Sequence, residues 1–132
     1  MPAERVELRA TSVTIAAPDP RELAAFYARV LGLQVTHSDP PRQGEPDAAG
    51  WAQIKTASLT LNFEFERCWE PPVWPAQPAR QVATQHLDIW VSDVDAAVGW
   101  AVECGARLAD AQPQEDVRVM VDPAGHPFCL FR

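Results

Sequence analysis

Ser12-Val13-Thr14-Ile15-Ala16-Ala17-Pro18-Asp19-Pro20-Arg21-Glu22-Leu23-Ala24-Ala25-Phe26-Tyr27-Ala28-Arg29-Val30-Leu31-Gly32 packs a strand, a helix start and a helix stop into 21 residues. Ser12–Ala16 alternates polar and apolar side chains, the period of a half-buried strand. Asp19 is placed as an N-cap, Pro20 sits at the first helical position and Glu22 completes a capping-box pattern. Leu23, Phe26, Tyr27, Val30 and Leu31 follow at helical spacing, and Gly32 is placed for a left-handed C-cap.

The same plan recurs later in the chain. His86–Val91 reads as a strand with Leu87, Ile89 and Val91 on one face. Asp93 is the next N-cap, Val94, Ala97, Val98, Ala101 and Val102 form the apolar stripe, and Gly105 is the stop. Cap to glycine is 13 positions from Asp19 to Gly32 and 12 from Asp93 to Gly105. Strand-like runs follow each helix: Leu33–His37, Trp51–Thr56 and Leu59–Glu66, then Arg107–Ala111, Val117–Asp122 and Pro127–Phe131. Asp122-Pro123-Ala124-Gly125 is turn chemistry and makes the last two runs a hairpin.

Two βαβββ modules therefore share one domain of 132 residues, with module one at about 8–66, a connector at 67–83 and module two at about 84–132. The expected fold is α+β, a curved mixed sheet around a cavity with helices on its outer face. The chain has 13 prolines against 6 glycines, and these fall mostly between the periodic segments. The connector Cys68-Trp69-Glu70-Pro71-Pro72-Val73-Trp74-Pro75-Ala76-Gln77-Pro78 reads as a stiffened crossover whose tryptophans pack at the cavity mouth or on a partner subunit. A polyproline recognition segment is the alternative. Trp100, off the helix stripe, is a second candidate subunit contact.

Charge and cysteine content narrow the partners. A formal charge of −7, with no basic stripe, disfavours nucleic acid and anionic membranes. No apolar run reaches the roughly 18 residues of a membrane span, and the opening Met-Pro-Ala-Glu-Arg-Val-Glu has no leader-like apolar core. Cys68, Cys104 and Cys129 are widely spaced without a Cys-x-x-Cys pair, so free thiols in a reducing cytoplasm are expected. The arginine and alanine bias resembles a bacterial proteome of high GC content.

Each helix must bury its stripe against the apolar strand face, leaving the other face polar. That face carries Ser12, Thr14, Asn62, Glu64, His86, Asp88, Trp90 and Cys129, joined by Gln53 and either Arg118 or Met120. Polar groups mixed with tryptophan suit a concave small-molecule site; a wetted, ligand-free face is the bland alternative.

The arrangement resembles the vicinal-oxygen-chelate superfamily of glyoxalases, bleomycin-resistance proteins and extradiol dioxygenases. The resemblance covers residues 8–132. It rests on Asp19-Pro20 leading through Leu23-Ala24-Ala25-Phe26-Tyr27 to Leu31-Gly32, on His86-Leu87-Asp88, on Gly105-Ala106, and on Asp122-Pro123-Ala124-Gly125-His126-Pro127-Phe128-Cys129-Leu130. It is similar in particular to an actinobacterial glyoxalase-like subgroup. It implies a homodimer and metal ligands on the first and last strand of each module. Those places here are Ser12, Asn62 or Glu64, His86 and Cys129. Only His86 is a usual ligand there, so no metal cofactor is expected. A divalent ion held by His86 and Glu64 is the alternative.

His86 beside Asp88 is the candidate acid/base pair, with a plain hydrogen-bonding role as the alternative for each. Cys129 is either a small buried hydrophobe or a nucleophile. His126 belongs to the hairpin turn and His37 to the surface. Trp69, Trp74 and Trp90 are expected near the cavity, with Ser12, Thr14, Asn62, Glu64 and Cys129 as its polar lining. Two functions follow. One is a metal-free small-molecule-binding protein. The other is a lyase, isomerase or cyclase using His86 as acid/base or metal ligand.

Overall fold

The structure, a computed structural model, describes residues 5–132; residues 1–4, part of the stretch read for a leader, lie outside the described residues. Module one runs β1 (Ser12–Ala17), α1 (Pro20–Leu31), β2 (His37–Asp39), β3 (Trp51–Lys55) and β4 (Thr60–Phe65). Module two runs β5 (Leu87–Trp90), α2 (Val94–Cys104), β6 (Arg107–Leu108), β7 (Val117–Val121) and β8 (Pro127–Phe131).

Both helices begin and end by the same chemistry. The Asp19 carboxylate accepts from the Glu22 N–H at 3.1 Å and that of Asp93 from the Ala96 N–H at 3.0 Å. Each cap holds one of the first-turn N–H groups that a helix leaves unpaired. At the far ends, Gly32 and Gly105 have φ of +67° and +123°. The N–H groups of Gly32 and Leu33 donate to Arg29 and Ala28, and those of Gly105 and Ala106 to Val102 and Ala101. This is one Schellman motif used twice, and it returns the chain over the helix end.

The strands form two separate four-stranded sheets in equivalent orders, β1-β4-β3-β2 and β5-β8-β7-β6. In each, the first strand pairs parallel with the last and the other pairings are antiparallel. The α+β architecture of two βαβββ modules is thus present, but its strands do not make one continuous sheet, and the two sheets are not closed.

The run expected as a strand from Leu33 to His37 begins to pair only at its end. Gly32 turns the chain, Thr36 donates to the Gln53 carbonyl, and β2 spans His37–Asp39 until Pro40 and Pro41 remove its donors. The expected Arg107–Ala111 strand is similarly short at two residues, although Ala109 still donates to Val119.

One core joins the modules. Leu23, Phe26 and Tyr27 of α1, Ile54 and Phe63 of module one, and Ala101, Met120, Phe128 and Leu130 of module two are buried together. Tyr27 is its hub, stacked on Phe63 at 5.9 Å and edge-on to Phe128 at 5.7 Å. Burying each such ring stabilises by about 1.5–3 kcal/mol. The α2 stripe is narrower than expected, because Val102 is half exposed and only Ala101 is fully buried. Trp100, a candidate subunit contact that stays partly exposed, also reaches back to α1. Its Nε1–H donates to the Val30 carbonyl at 3.1 Å under the Arg29 guanidinium.

The pleat corrects one face assignment. Val119 lies opposite Cys129 in the register, so it shares that face, whereas Met120 is fully buried in the core and Arg118 shares its parity. Gln53 does join Asn62, opposite it in the register and hydrogen-bonded through Nε2 at 2.9 Å. No helix among the described residues is long and apolar enough to cross a membrane.

Candidate functional site

β1 and β5 are each the end strand of their sheet. A groove of about 720 Å³ runs between them, within the usual size of small-molecule sites. Val13–Ala16 of β1 form one wall, His86–Asp88 the other, and Trp69, Glu70, Pro72 and Gln81–Ala83 of the connector border it, followed by Thr84 and Gln85. Tyr27, His126 and Pro127 complete the lining.

A buried polar network closes this end of the molecule. Asp122 follows β7 and is 4% exposed, the one charged side chain fully buried among the described residues. Its carboxylate accepts from the N–H groups of Ala124 and His126, both at 3.0 Å, and from the Tyr27 hydroxyl at 2.6 Å. The His126 Nδ1 lies 2.8 Å from the same carboxylate, and Nε2 lies 2.9 Å from the Ala16 carbonyl on β1. Burial foremost, then the charge and hydrogen bond of Asp122, push the Tyr27 phenol well above its ordinary value. The turn role expected of His126 is real, and its ring does more, tying module two to the first strand of module one.

The connector is seated on this network. The Trp69 ring lies 4.8 Å from that of His126, and its Nε1–H donates to the Ala124 carbonyl at 3.2 Å. Pro71 sits against Gly125, where an added Cβ would stand 2.9 Å from it.

On the β5 wall, His86 Nε2 is 3.1 Å from Asp88 Oδ1, and both side chains are about half exposed. Asp88 lies opposite Cys129 across the β5–β8 pair. Burial, then the neighbouring Asp88 charge and hydrogen bond, push the Cys129 thiol upward. That makes it a weaker nucleophile at neutral pH, in keeping with the packing of Cys129 and Trp74 against Ala109, Val119 and Val121.

Of the residues expected at the cavity, the groove brings together Thr14, Trp69, His86 and Asp88. Ser12, Asn62, Glu64, Trp74, Trp90 and Cys129 do not line it. Trp90 points outward at 63% exposure. His37 is exposed and pairs with Asp39 at 3.0 Å. Tyr27 and Asp122 escaped the sequence reading. Their only signals are a tyrosine inside an otherwise apolar stripe and an acid at the head of a turn, each with an ordinary local explanation.

The four superfamily metal positions divide by module. In module one the Ser12 hydroxyl is bonded to Thr11 at 3.1 Å and the Asn62 carbonyl already accepts from Gln53. In module two His86, Asp88 and Cys129 each offer a ligand atom, all within 4.8 Å of one another. A centre of oxygen and nitrogen ligands spanning both modules does not fit this chain. The nitrogen, carboxylate and sulfur set of module two has the chemistry for a borderline-soft divalent ion. Glu64 is not part of that group.

Solved structures with the same fold include a glyoxalase family protein from Enterococcus faecalis, 19% identical, covering 94% of this chain and 97% of its own, with a TM-score of 0.66. A FosX fosfomycin-resistance protein from Listeria monocytogenes, solved with Mn(II) and 1S,2S-dihydroxypropylphosphonic acid, is 12% identical at a TM-score of 0.70, over 96% and 93% of the two chains. A glyoxalase/bleomycin resistance protein/dioxygenase family enzyme from Burkholderia phytofirmans is 18% identical at 0.60, over 91% and 94%. No curated protein matches the chain in sequence. The glyoxalase-like domain family matches residues 12–131. With duplicated modules, matched helix caps and that match over nearly its whole length, the chain belongs to the glyoxalase-like domain family.

Proposed function

We propose that the protein binds a small organic molecule in the groove between β1 and β5, without a metal centre spanning its two modules. The groove carries this reading. It is large enough for a metabolite, apolar at Ile15, Leu59, Trp69, Val82 and Leu87, and polar at Thr14, Thr84, Gln85, His86 and Asp88. No lysine or arginine lines it among the described residues, whereas Glu70 and Asp88 do. This lining supports a neutral or cationic ligand with an aromatic or apolar part that stacks on Trp69. A phosphonate like that bound by the Listeria protein would meet no guanidinium or ammonium here. The three free cysteines support residence in a reducing cytoplasm. Exposed Trp90 and Leu108 support a homodimer.

Native mass spectrometry of chelator-washed protein tests the reading. A bound mass that disappears in Trp69→Ala and in the groove-filling Ala83→Trp is the expected result. A ligand retained by Ala83→Trp would place binding elsewhere and overturn it.

The 3.1 Å contact of His86 with Asp88 favours a second reading, a lyase, isomerase or cyclase in which His86 moves a proton on the bound molecule. Turnover lost in His86→Gln with binding retained would distinguish it from simple binding.

A further inference from the structure

We propose that module two by itself holds a thiophilic divalent cation of the zinc class through His86 Nε2, the Asp88 carboxylate and Cys129 Sγ, with module one supplying no ligand. Three placements on adjacent strands create the site. Asp88 and Cys129 are direct neighbours in the parallel β5–β8 register. His86 precedes Asp88 by two residues, so it falls on the same face of the pleat. The three ligand atoms already lie within 4.8 Å of one another. A tetrahedral zinc site with sulfur at about 2.3 Å and nitrogen or oxygen at about 2.0–2.1 Å needs ligand atoms roughly 3.3–3.8 Å apart. Reaching that spacing asks the ligand atoms to draw closer, and the half-exposed His86 and Asp88 side chains have room to move.

The donor set decides which ion. Neutral imidazole, carboxylate and thiolate together carry two negative charges, matching one divalent cation. As the sulfur–metal bond forms, the Cys129 thiol releases its proton to solvent. Thiolate favours zinc-class ions over manganese, which forms the weakest complexes of the first-row divalent series. Three protein ligands leave one coordination position open. Two of the three ligands, His86 and Asp88, border the groove. The overall charge of −7 attracts a cation to this exposed wall.

The site requires no organic ligand, so its test is independent of the binding reading. Chelator-washed protein with Cys68→Ser is titrated with Cd²⁺ and followed by the near-ultraviolet thiolate-to-metal charge-transfer band. One equivalent should bind. The band should vanish in Cys129→Ser, and affinity should fall at least about 100-fold in His86→Gln and Asp88→Asn, beyond the usual cost of removing an outer-sphere partner. Ser12→Ala and Asn62→Ala should bind like the parent, Zn²⁺ should displace Cd²⁺, and Mn²⁺ in about 100-fold excess should not. A parent without the band, a band surviving Cys129→Ser, weakened binding in Ser12→Ala or Asn62→Ala, or efficient displacement by Mn²⁺ would each overturn the proposal. Circular dichroism of every variant confirms that the fold is retained.

Discussion

Tyr27 on α1 and Asp122 after β7 stand 95 positions apart in sequence and are joined by a 2.6 Å hydrogen bond inside the core. The bond crosses from one module to the other, and Asp122 is also held by His126, whose ring reaches β1. Four hydrogen-bonding groups, two of them backbone, converge on one carboxylate at the junction.

Alkaline stability should depend on Tyr27. The folded chain holds the phenol protonated above its usual range, while the unfolded chain releases that proton near pH 10. Above about pH 10 the unfolded state therefore binds fewer protons than the native state, and stability falls as pH rises, by up to about 1.4 kcal/mol per unit. Below that pH the contribution is fully present. Tyr27 is the only tyrosine, so phenolate absorbance reports this group alone. It should rise together with unfolding, and Tyr27→Phe should flatten the alkaline slope.

Asp122 should be the costliest polar position. Asp122→Asn replaces an acceptor by an amide whose N–H groups face existing donors, and a loss of about 3–5 kcal/mol is expected in urea denaturation. His126→Gln, which keeps part of the bonding, should cost about 1–3 kcal/mol. The double variant should lose less than the sum, because both changes break the same contact.

Gly125 should report on the connector. At φ of +101° its added Cβ would meet Pro71 at 2.9 Å, so Gly125→Ala is expected to cost roughly 1–3 kcal/mol through strain and displacement. Trypsin should then cut the connector faster at the exposed Arg80 than in the parent, with cleavage elsewhere little changed.

Thiol reactivity should rank by environment. Cys68 is exposed and should label first with iodoacetamide. Cys129, partly buried and pushed upward by burial and Asp88, should label slowly at neutral pH. Asp88→Asn removes the charge that disfavours the thiolate, and labelling of Cys129 should speed up. Peptide mapping of the labelled sites checks both statements.

The modules were legible in the sequence because their signals are local. Asp19, Pro20, Gly32, Asp93 and Gly105 each act within one turn of a helix end, and all five hold the positions expected of them. The face of Arg118 and Met120 was not legible, because parity within a short apolar run depends on its register with β8. The groove was only half legible. Alternation shows which residues share a face, and it gave the face of Thr14, His86 and Asp88. It cannot show that the sheets stay apart, which leaves Asn62, Glu64 and Trp90 away from the groove. Nor could it reveal Tyr27, Asp122 and the His126 ring as one network, since that pairing exists only once the two modules meet.

The strands that wall the groove are end strands, and each has a sheet partner on one side only. Alternate peptide groups along their other edges are therefore turned away from the ladder, although His126 takes the Ala16 carbonyl. Peptide donors and acceptors do not change when side chains do. A ligand that recruits them would keep that share of its affinity through mutational drift, while Thr14, Trp69 or His86 were exchanged to suit a different molecule. The division of labour lets specificity evolve without rebuilding the means of attachment.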